Sequence, residues 1–291
     1  MRSSGSTERT TGRPHNTEAQ NSQRYTGRGA GNLTVVSLGP GHRSYLLPKA
    51  LEALSAAEVV VGYKMYLDLI SDLTEGKKII SSGMRKEIER CQAAIDQASK
   101  GHRVVIVSSG DAGIYGMAGL VFDICRQKDL RISSCPGKRD TGIDFSIEVI
   151  PGVAAFNAAA SRVGAPLMHD FAAISLSDHL TPWHVIEKRL DAAASADFVI
   201  AIYNPRSKTR PNLLAAAQQV ILRHRPHSTP AAVVRGAMRE GEWQCLTTLG
   251  DIPIEEVDMQ SILLIGNSKS YLWEGWMVTP RGYLEKYTVD A

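Results

Sequence analysis

Residues 108–119 read SSGDAGIYGMAG and directly follow RVVIV, a β-branched run at residues 103–107. Such a run predicts a buried parallel strand, and the apolar spacing of residues 119–125 predicts a helix after the turn. The turn therefore lies at the carboxyl end of a sheet, where open α/β folds bind ligands. Gly110 has no side chain, so the backbone can approach a flat ligand closely. Asp111, at the tip, is either a ligand-binding acid or only the cap of the next helix.

Two further predicted strands end in turns of small residues. The strand at 33–38 runs into GPGH at 39–42, which matches neither the dinucleotide fingerprint nor a P-loop. The strand at 146–150 runs into PGVAA at 151–155, where small residues either leave room for a ligand or, as we favour, pack a helix tightly on the sheet. Strands at 58–63 and 77–80 and a helix at 84–98 complete a βαβα order, which predicts a parallel sheet.

A second α/β block is predicted to begin at Asp170. Its strands are expected at 172–176, 198–203 and 262–267. A hairpin is expected between 231–235 and 244–248. We place the hinge between the blocks near residues 165–171. The expected organisation is a disordered tail at 1–32, an N-terminal α/β domain at 33–168 and a C-terminal α/β domain at 169–291.

Composition narrows the possible functions. The chain has 291 residues and a formal net charge of +3, but residues 1–32 alone carry five Arg and two Glu, so the remainder is balanced. A nucleic-acid partner is therefore not expected. The same tail lacks an amphipathic pattern, which disfavours a targeting peptide, and no apolar run reaches the length of a membrane span. The four cysteines form no C-x-x-C pair, so we expect no metal site, no disulfide framework and a cytoplasmic location.

Four motifs in order carry a family resemblance: GPG at 39–41, SGDAGIYG at 109–116, PGVAA at 151–155 and AIYNP at 201–205. Over about residues 33–270 the chain resembles the tetrapyrrole (corrin/porphyrin) methyltransferases. The resemblance implies two α/β domains with S-adenosylmethionine in the crevice between them, a tetrapyrrole substrate and a homodimer.

Two longer motifs, ISLSDHLTPW at 174–183 and YNPRSKTR at 203–210, are most similar to one branch of that family. This branch methylates precorrin-3B at C17 and contracts the ring to precorrin-4 in cobalamin biosynthesis. A cobalt-containing substrate, methylation at another carbon, diphthine synthesis and a non-catalytic binding module remain alternatives.

The resemblance also implies site residues. The cofactor contacts it implies are Pro40, Ser109, Gly110, Asp111, Ile114, Ala154, Ala155, Tyr203 and Gly236. The polar and basic loop after the 198–203 strand suits a substrate with many carboxylates, although such a loop can also be merely solvated. Its candidate substrate-binding residues are Asn204, Arg206, Lys208 and Arg210.

The general acid or base is not carried over from the family. Uroporphyrinogen-methylating members have Asp just after the GPG turn and Asp just after the second strand, where this chain has His42 and Tyr63. His42, Tyr63 and Asp178 are therefore all candidates. The plainer alternatives are a solvent-exposed loop histidine for His42 and a helix N-terminal acid for Asp178.

Overall fold

The computed structural model describes residues 31–134, 142–207 and 209–287. The strands are, in chain order, β1 (Gly31–Ser37), β2 (Val59–Tyr63), β3 (Lys78–Ser82), β4 (Arg103–Ser108), β5 (Ile132–Ser133), β6 (Phe145–Ile150), β7 (Gly164–Ala165), β8 (Phe171–Ser175), β9 (Val199–Tyr203), β10 (Pro230–Arg235), β11 (Trp243–Thr248), β12 (Ser261–Ile265), β13 (Tyr271–Trp273) and β14 (Trp276–Val278). The helices are α1 (Pro48–Ala56), α2 (Lys64–Asp68), α3 (Glu87–Ser99), α4 (Ala118–Gln127), α5 (Ala155–Val163), α6 (Trp183–Ser195), α7 (Leu213–Leu222) and α8 (Tyr283–Lys286).

The first sheet is six-stranded and parallel, in the order β3-β2-β4-β1-β6-β5. Its central strands are apolar on both faces because helices cover both. Leu33 and Val35 of β1 pack in one core with α3 and α4, whereas Val36 packs in a second core with α1. Burial on two faces explains the continuous apolar runs that identify these strands in the sequence.

The second sheet is five-stranded and mixed, in the order β11-β10-β12-β9-β8. Strands β8 and β9 are parallel, and β9, β12, β10 and β11 pair antiparallel. The predicted hairpin between β10 and β11 is confirmed, with Val233 opposite Cys245. Helices α6 and α7 cover one face through Leu190 and Leu214. The predicted architecture of two α/β domains is confirmed.

Helix α5 follows the first sheet in the chain but packs on the second. Ala159 and Val163 share a core with Ala201, Ala232 and Leu264. Strand β7 then pairs with β14 of a small three-stranded sheet, β13-β14-β7. By packing, residues 155–165 therefore belong with the second sheet, although the predicted division at 168/169 assigns them to the N-terminal domain.

The sequence-based boundaries differ from the structure elsewhere too. Strand β1 begins at Gly31, inside the predicted disordered tail, because Gly31 and Asn32 pair with β6 and Asn32 also pairs with β4. Residues 1–30 lie outside the described part of the chain. The short strand β5 was not predicted; it pairs with β6 at the edge of the first sheet. The hairpin β13–β14 and α8 were not predicted.

No helix within the described residues has both the length and the apolar character needed to cross a membrane. The described residues also contain no group of three or more His, Cys, Asp or Glu that could hold a metal ion.

Candidate active site

The glycine-rich turns after β1 and β4 are joined to each other. Gly39 N–H donates to Gly110 O at 3.1 Å, and Gly110 N–H donates to Gly39 O at 2.7 Å. Both residues have positive φ, +66° and +63°, which glycine adopts without strain. Ala112 N–H also donates to Ser37 Oγ at 2.9 Å. The turns therefore form one continuous surface at the carboxyl edge of the first sheet.

This surface borders a cavity of about 420 Å³ whose opposite wall comes from the second sheet. Tyr203 at the end of β9, Val234 in β10 and Ile262 in β12 line that opposite wall. A site of this size, at strand ends and between two domains, is typical of small-molecule binding.

Residues predicted to contact the cofactor meet around this cavity from separate parts of the chain. The lining includes Pro40, Ser109, Gly110, Asp111, Ile114, Ala155, Tyr203 and Gly236. Ala154 lies at the N-cap of α5, directly before Ala155, and does not itself line the cavity. Each assignment to the cofactor stays a prediction, but the fold gives these residues a common location.

Asp111 connects two loops of the first domain. Its Oδ1 accepts from Gly113 N–H at 2.8 Å, and its Oδ2 accepts from Gly152 N–H at 3.0 Å. Helix α4 begins only at Ala118, with Met117 at its N-cap. The carboxylate therefore shapes the cavity wall and does not cap the following helix.

Two tyrosines form an aromatic wall. The Tyr203 and Tyr115 ring centroids are 5.0 Å apart. Tyr203 Oη accepts from Phe156 N–H at 3.1 Å, and burial raises the pKa of Tyr203 to about 12. Burial also raises the pKa of Tyr115, whose hydroxyl donates to Ala173 O at 2.9 Å. Both phenols are therefore neutral near pH 7.

Tyr115 also has a backbone conformation that side chains rarely adopt, with φ of +53°. Such a conformation costs on the order of 1–3 kcal/mol and persists where the surroundings hold it. Here the hydrogen bond to the second sheet holds it. Tyr115 belongs to the glycine-rich motif but is not among the site residues predicted from the sequence. Its position between glycines was the signal that could have identified it.

The basic loop after β9 is paired with acids of the same chain. Arg206 Nη2 lies 2.6 Å from Glu255 Oε2, and Arg206 Nη1 donates to two carbonyls at 3.1 Å. Arg210 Nη1 lies 3.2 Å from Asp178 Oδ1 and 2.9 Å from Ser177 Oγ. Neither arginine lines the cavity.

Asn204 is the member of this candidate set that does line the cavity. Its φ is +50°, and its Nδ2 donates to Ser175 Oγ at 2.9 Å. Lys208 lies outside the described residues.

The structure separates the candidates for general acid or base. Tyr63 lines the cavity, and its ring packs edge-on against Tyr66 with centroids 5.2 Å apart. His42 is exposed, and its Nδ1 accepts from Ser44 N–H at 3.2 Å. Asp178 is the ion-pair partner of Arg210. Of the three, Tyr63 alone borders the cavity.

Sequence reasoning missed two cavity-lining arginines, Arg90 and Arg239. Arg239 Nε donates to Pro40 O and so connects the domains across the cavity. Arg90 lies on the buried face of α3 beside Cys91 and Ala94. A cation on the apolar side of an amphipathic helix was the signal that could have identified Arg90.

Comparisons with known proteins agree with these features. The sequence profile of the Tetrapyrrole (Corrin/Porphyrin) Methylases matches residues 32–253. A probable cobalt-factor III C(17)-methyltransferase of Salmonella typhimurium is 51% identical over 251 residues, which are 86% of this chain and 99% of the relative. A cobalt-factor III methyltransferase of Priestia megaterium is 44% identical over 260 residues, covering 89% of this chain and 46% of that protein.

Solved structures give the same match. The methyltransferase CobJ superposes with a TM-score of 0.78 at 34% identity, covering 86% of this chain and 100% of CobJ. A uroporphyrin-III C-methyltransferase from Thermus thermophilus, crystallised with S-adenosylhomocysteine, has a TM-score of 0.58 at 20% identity over 81% of this chain and 97% of that one, which supports the fold alone.

Proposed function

Because the chain belongs to the tetrapyrrole (corrin/porphyrin) methylases, we propose that it methylates C17 of a precorrin-3-level macrocycle in cobalamin biosynthesis. S-adenosylmethionine is the methyl donor, and ring contraction accompanies the transfer. The observation that carries the proposal is the interdomain cavity, since it gathers residues from both domains that the family resemblance assigns to the cofactor.

The cavity suits a sulfonium donor. Gly110 and Gly236 allow close backbone approach, and neither would bring a Cβ within 3.4 Å of a neighbouring atom. The tyrosines 115 and 203 add a neutral aromatic wall that cannot attack the donor. When bound, S-adenosylmethionine supplies an electrophilic methyl group; the new bond to C17 forms as the methyl–sulfur bond breaks, and sulfur keeps that electron pair. The protein's task is then to position the two reactants and exclude water.

Ring contraction also needs a group that accepts or donates a proton. We assign this role to the Tyr63 hydroxyl, because Tyr63 borders the cavity whereas His42 is exposed and Asp178 is ion-paired. In a single-turnover assay, Tyr63→Phe slows contraction by at least about tenfold. The variants His42→Ala and Asp178→Asn retain the wild-type rate. A wild-type rate in Tyr63→Phe would remove this assignment.

The proposed macrocyclic substrate could contain a cobalt ion or be free of metal. The printed names of the 51% and 44% identical relatives contain cobalt-factor III, and we therefore propose that substrate first, with metal-free precorrin-3B as the second candidate. The deciding experiment incubates the purified full chain separately with cobalt-factor III and precorrin-3B and isotope-labelled S-adenosylmethionine. Mass spectrometry counts the methyl groups gained, and NMR locates the label.

One labelled methyl group at C17 of a contracted ring is the expected result. Label at another carbon would place the chain in a different branch of the family. No transfer to any tetrapyrrole, by protein that remains folded, would overturn the proposal and favour diphthine synthesis or a binding role.

We also propose a cytoplasmic homodimer, as the resemblance implies. In support of the dimer, the C-terminal hairpin and α8 expose large apolar side chains, with Trp273 64% and Leu284 77% accessible. In support of a reducing location, Cys91, Cys125 and Cys245 are free thiols. Light scattering after size-exclusion chromatography tests the assembly, and a monomer at micromolar concentration would contradict it.

A further inference from the structure

Arg90 is a buried cation in the first-domain wall of the cavity. It is 4% exposed and lies on α3, with the cavity on one side and the core on the other. Its Nε donates to Ser82 Oγ at 2.8 Å, and its Nη2 donates to Gly83 O at 2.9 Å. Both partners are neutral, so they orient the guanidinium without neutralising its charge.

The remaining nitrogen has only a weak partner. Arg90 Nη1 lies 3.6 Å from Met117 Sδ, and a thioether is a poor acceptor. Among residues 31–134, 142–207 and 209–287, no carboxylate lies within ion-pair distance of Arg90. Buried charges in proteins are normally paired. Arg90 therefore has no direct ion-pair partner within the described chain, and the acid that lines the same wall is Glu87, one turn earlier on α3.

The surroundings of Arg90 suit a flat, acidic ligand. Tyr63 presents its ring 5.8 Å from Arg90 Cζ, and Met84 and Met117 line the same part of the cavity. Methionine and tyrosine side chains pack well against a planar ring system. Glu87 also lines this wall and accepts from Arg85 N–H at 3.2 Å. A ligand carboxylate is repelled by Glu87 and attracted by Arg90, which favours one orientation.

We propose that Arg90 binds a side-chain carboxylate of the macrocycle and so fixes the orientation of the ring relative to the methyl donor. This inference rests on the proposed function, because it takes the substrate to be a tetrapyrrole with acetate and propionate groups. Nη1 carries two N–H groups, and Nη2 keeps one N–H beside the one that it donates to Gly83 O. The guanidinium can therefore still donate two parallel hydrogen bonds to a carboxylate, a geometry that lysine cannot reproduce. Arg90 is thereby assigned to substrate binding, separate from the cofactor residues on the glycine-rich turns.

The test compares Arg90→Gln and Arg90→Lys with wild type and with Arg103→Gln. The control removes an arginine at the exposed amino end of β4, opposite the cavity edge. Substrate KM is measured at saturating S-adenosylmethionine, macrocycle affinity by absorbance titration and donor affinity by calorimetry. Gln keeps an amide donor for the Ser82 hydroxyl but removes the charge.

Arg90→Gln is expected to raise the substrate KM and the macrocycle Kd at least about tenfold, the effect of one charge-assisted hydrogen bond. The substrate KM and macrocycle Kd of Arg90→Lys should lie between those of Arg90→Gln and wild type. Donor affinity stays within about twofold of wild type in every variant. Arg103→Gln behaves as wild type.

A purely structural role would lower the unfolding temperature and donor affinity together with the macrocycle affinity, and that pattern overturns the inference. Unchanged KM in folded Arg90→Gln also overturns it. If Arg90→Gln does not fold, Arg90→Lys decides the question. A wild-type substrate KM in Arg90→Lys would contradict the proposal that the guanidinium binds the carboxylate with two parallel hydrogen bonds. A wild-type protein that binds no tetrapyrrole instead overturns the proposed function.

Discussion

The loop after β9 and the helix α3 both bring arginine to the region of the cavity, but they differ in what the arginine faces. Arg206 and Arg210 already lie against Glu255 and Asp178. Arg90 lies against neutral oxygens and a sulfur atom. The comparison shows that the number of cations in a segment does not measure the charge available to a ligand. What matters is where the chain places the counter-charge.

The strongest test of the first-domain wall is Gly152→Ala. A Cβ at Gly152 would lie 2.6 Å from both Gly110 O and Ser37 Cβ, so the turns joined there must separate. We expect the free energy of unfolding to fall by about 1–3 kcal/mol and donor binding to be lost. Thermal unfolding and calorimetry measure the two effects.

Gly119→Ala is the matched control, because nothing lies within 4 Å of a Cβ at Gly119. Gly119 lies in α4, where alanine is a better helix former, so this variant should be at least as stable as wild type. If both variants bind the donor normally, the joined turns do not shape its site.

Asp111 is expected to have the next largest effect. Asp111→Ala removes the acceptor for both Gly113 N–H and Gly152 N–H, and we expect donor affinity to fall about tenfold while the protein stays folded. Asp111→Asn retains one carbonyl oxygen as an acceptor and should lose less donor affinity than Asp111→Ala. Asp123→Ala, at an exposed position on α4, is the control. Equal donor affinity in Asp111→Ala and wild type would show that the carboxylate serves the loops alone.

The loop arginines should respond weakly. Because Arg206 and Arg210 already form ion pairs of a kind worth about 0.2–1 kcal/mol at partly exposed sites, replacing either with Gln is expected to raise substrate KM by no more than about threefold. Replacing Arg90 with Gln should raise the substrate KM at least about tenfold. A larger effect at Arg206 or Arg210 than at Arg90 would reverse the comparison between the two regions.

The smallest expected effect concerns pH. The folded protein holds the pKa of Tyr203 at about 12, whereas a tyrosine in the unfolded chain ionises near 10. Stability from this group is therefore complete below about pH 10 and declines as pH rises toward 12, because the unfolded state releases its proton first. In Tyr203→Phe, chemical denaturation from pH 9 to 11 should show a shallower decline than in wild type. Equal slopes would mean that Tyr203 ionises alike in both states.

The predictions from the sequence succeeded where the residues that determine a feature are neighbours in the chain. Glycine-rich turns after β-branched strands are recognisable in a few residues, so both the parallel sheet and the cavity edge at Gly110 could be predicted. The pairing of Arg210 with Asp178, 32 residues away, could not, because charge patterning along the chain does not report distant contacts. Likewise, the apolar face of α5 predicts burial but does not say which sheet buries it. Strands β13 and β14 have only three residues each, too few to show the alternation that identifies a strand.

Helix α5 follows the first sheet in the chain but packs on the second, and this has a consequence for how the chain folds during synthesis. Residues 155–165 leave the ribosome directly after the first sheet, yet Gly164 pairs with Met277. Val163 shares a core with Met277 and with strands that emerge between them. Domains generally fold in order from the N-terminus as the chain emerges. The small-residue face of α5 is therefore covered in stages, as Ala201, Ala232, Leu264 and finally Met277 emerge. The cavity gains its opposite wall only when β9, β10 and β12 have been made.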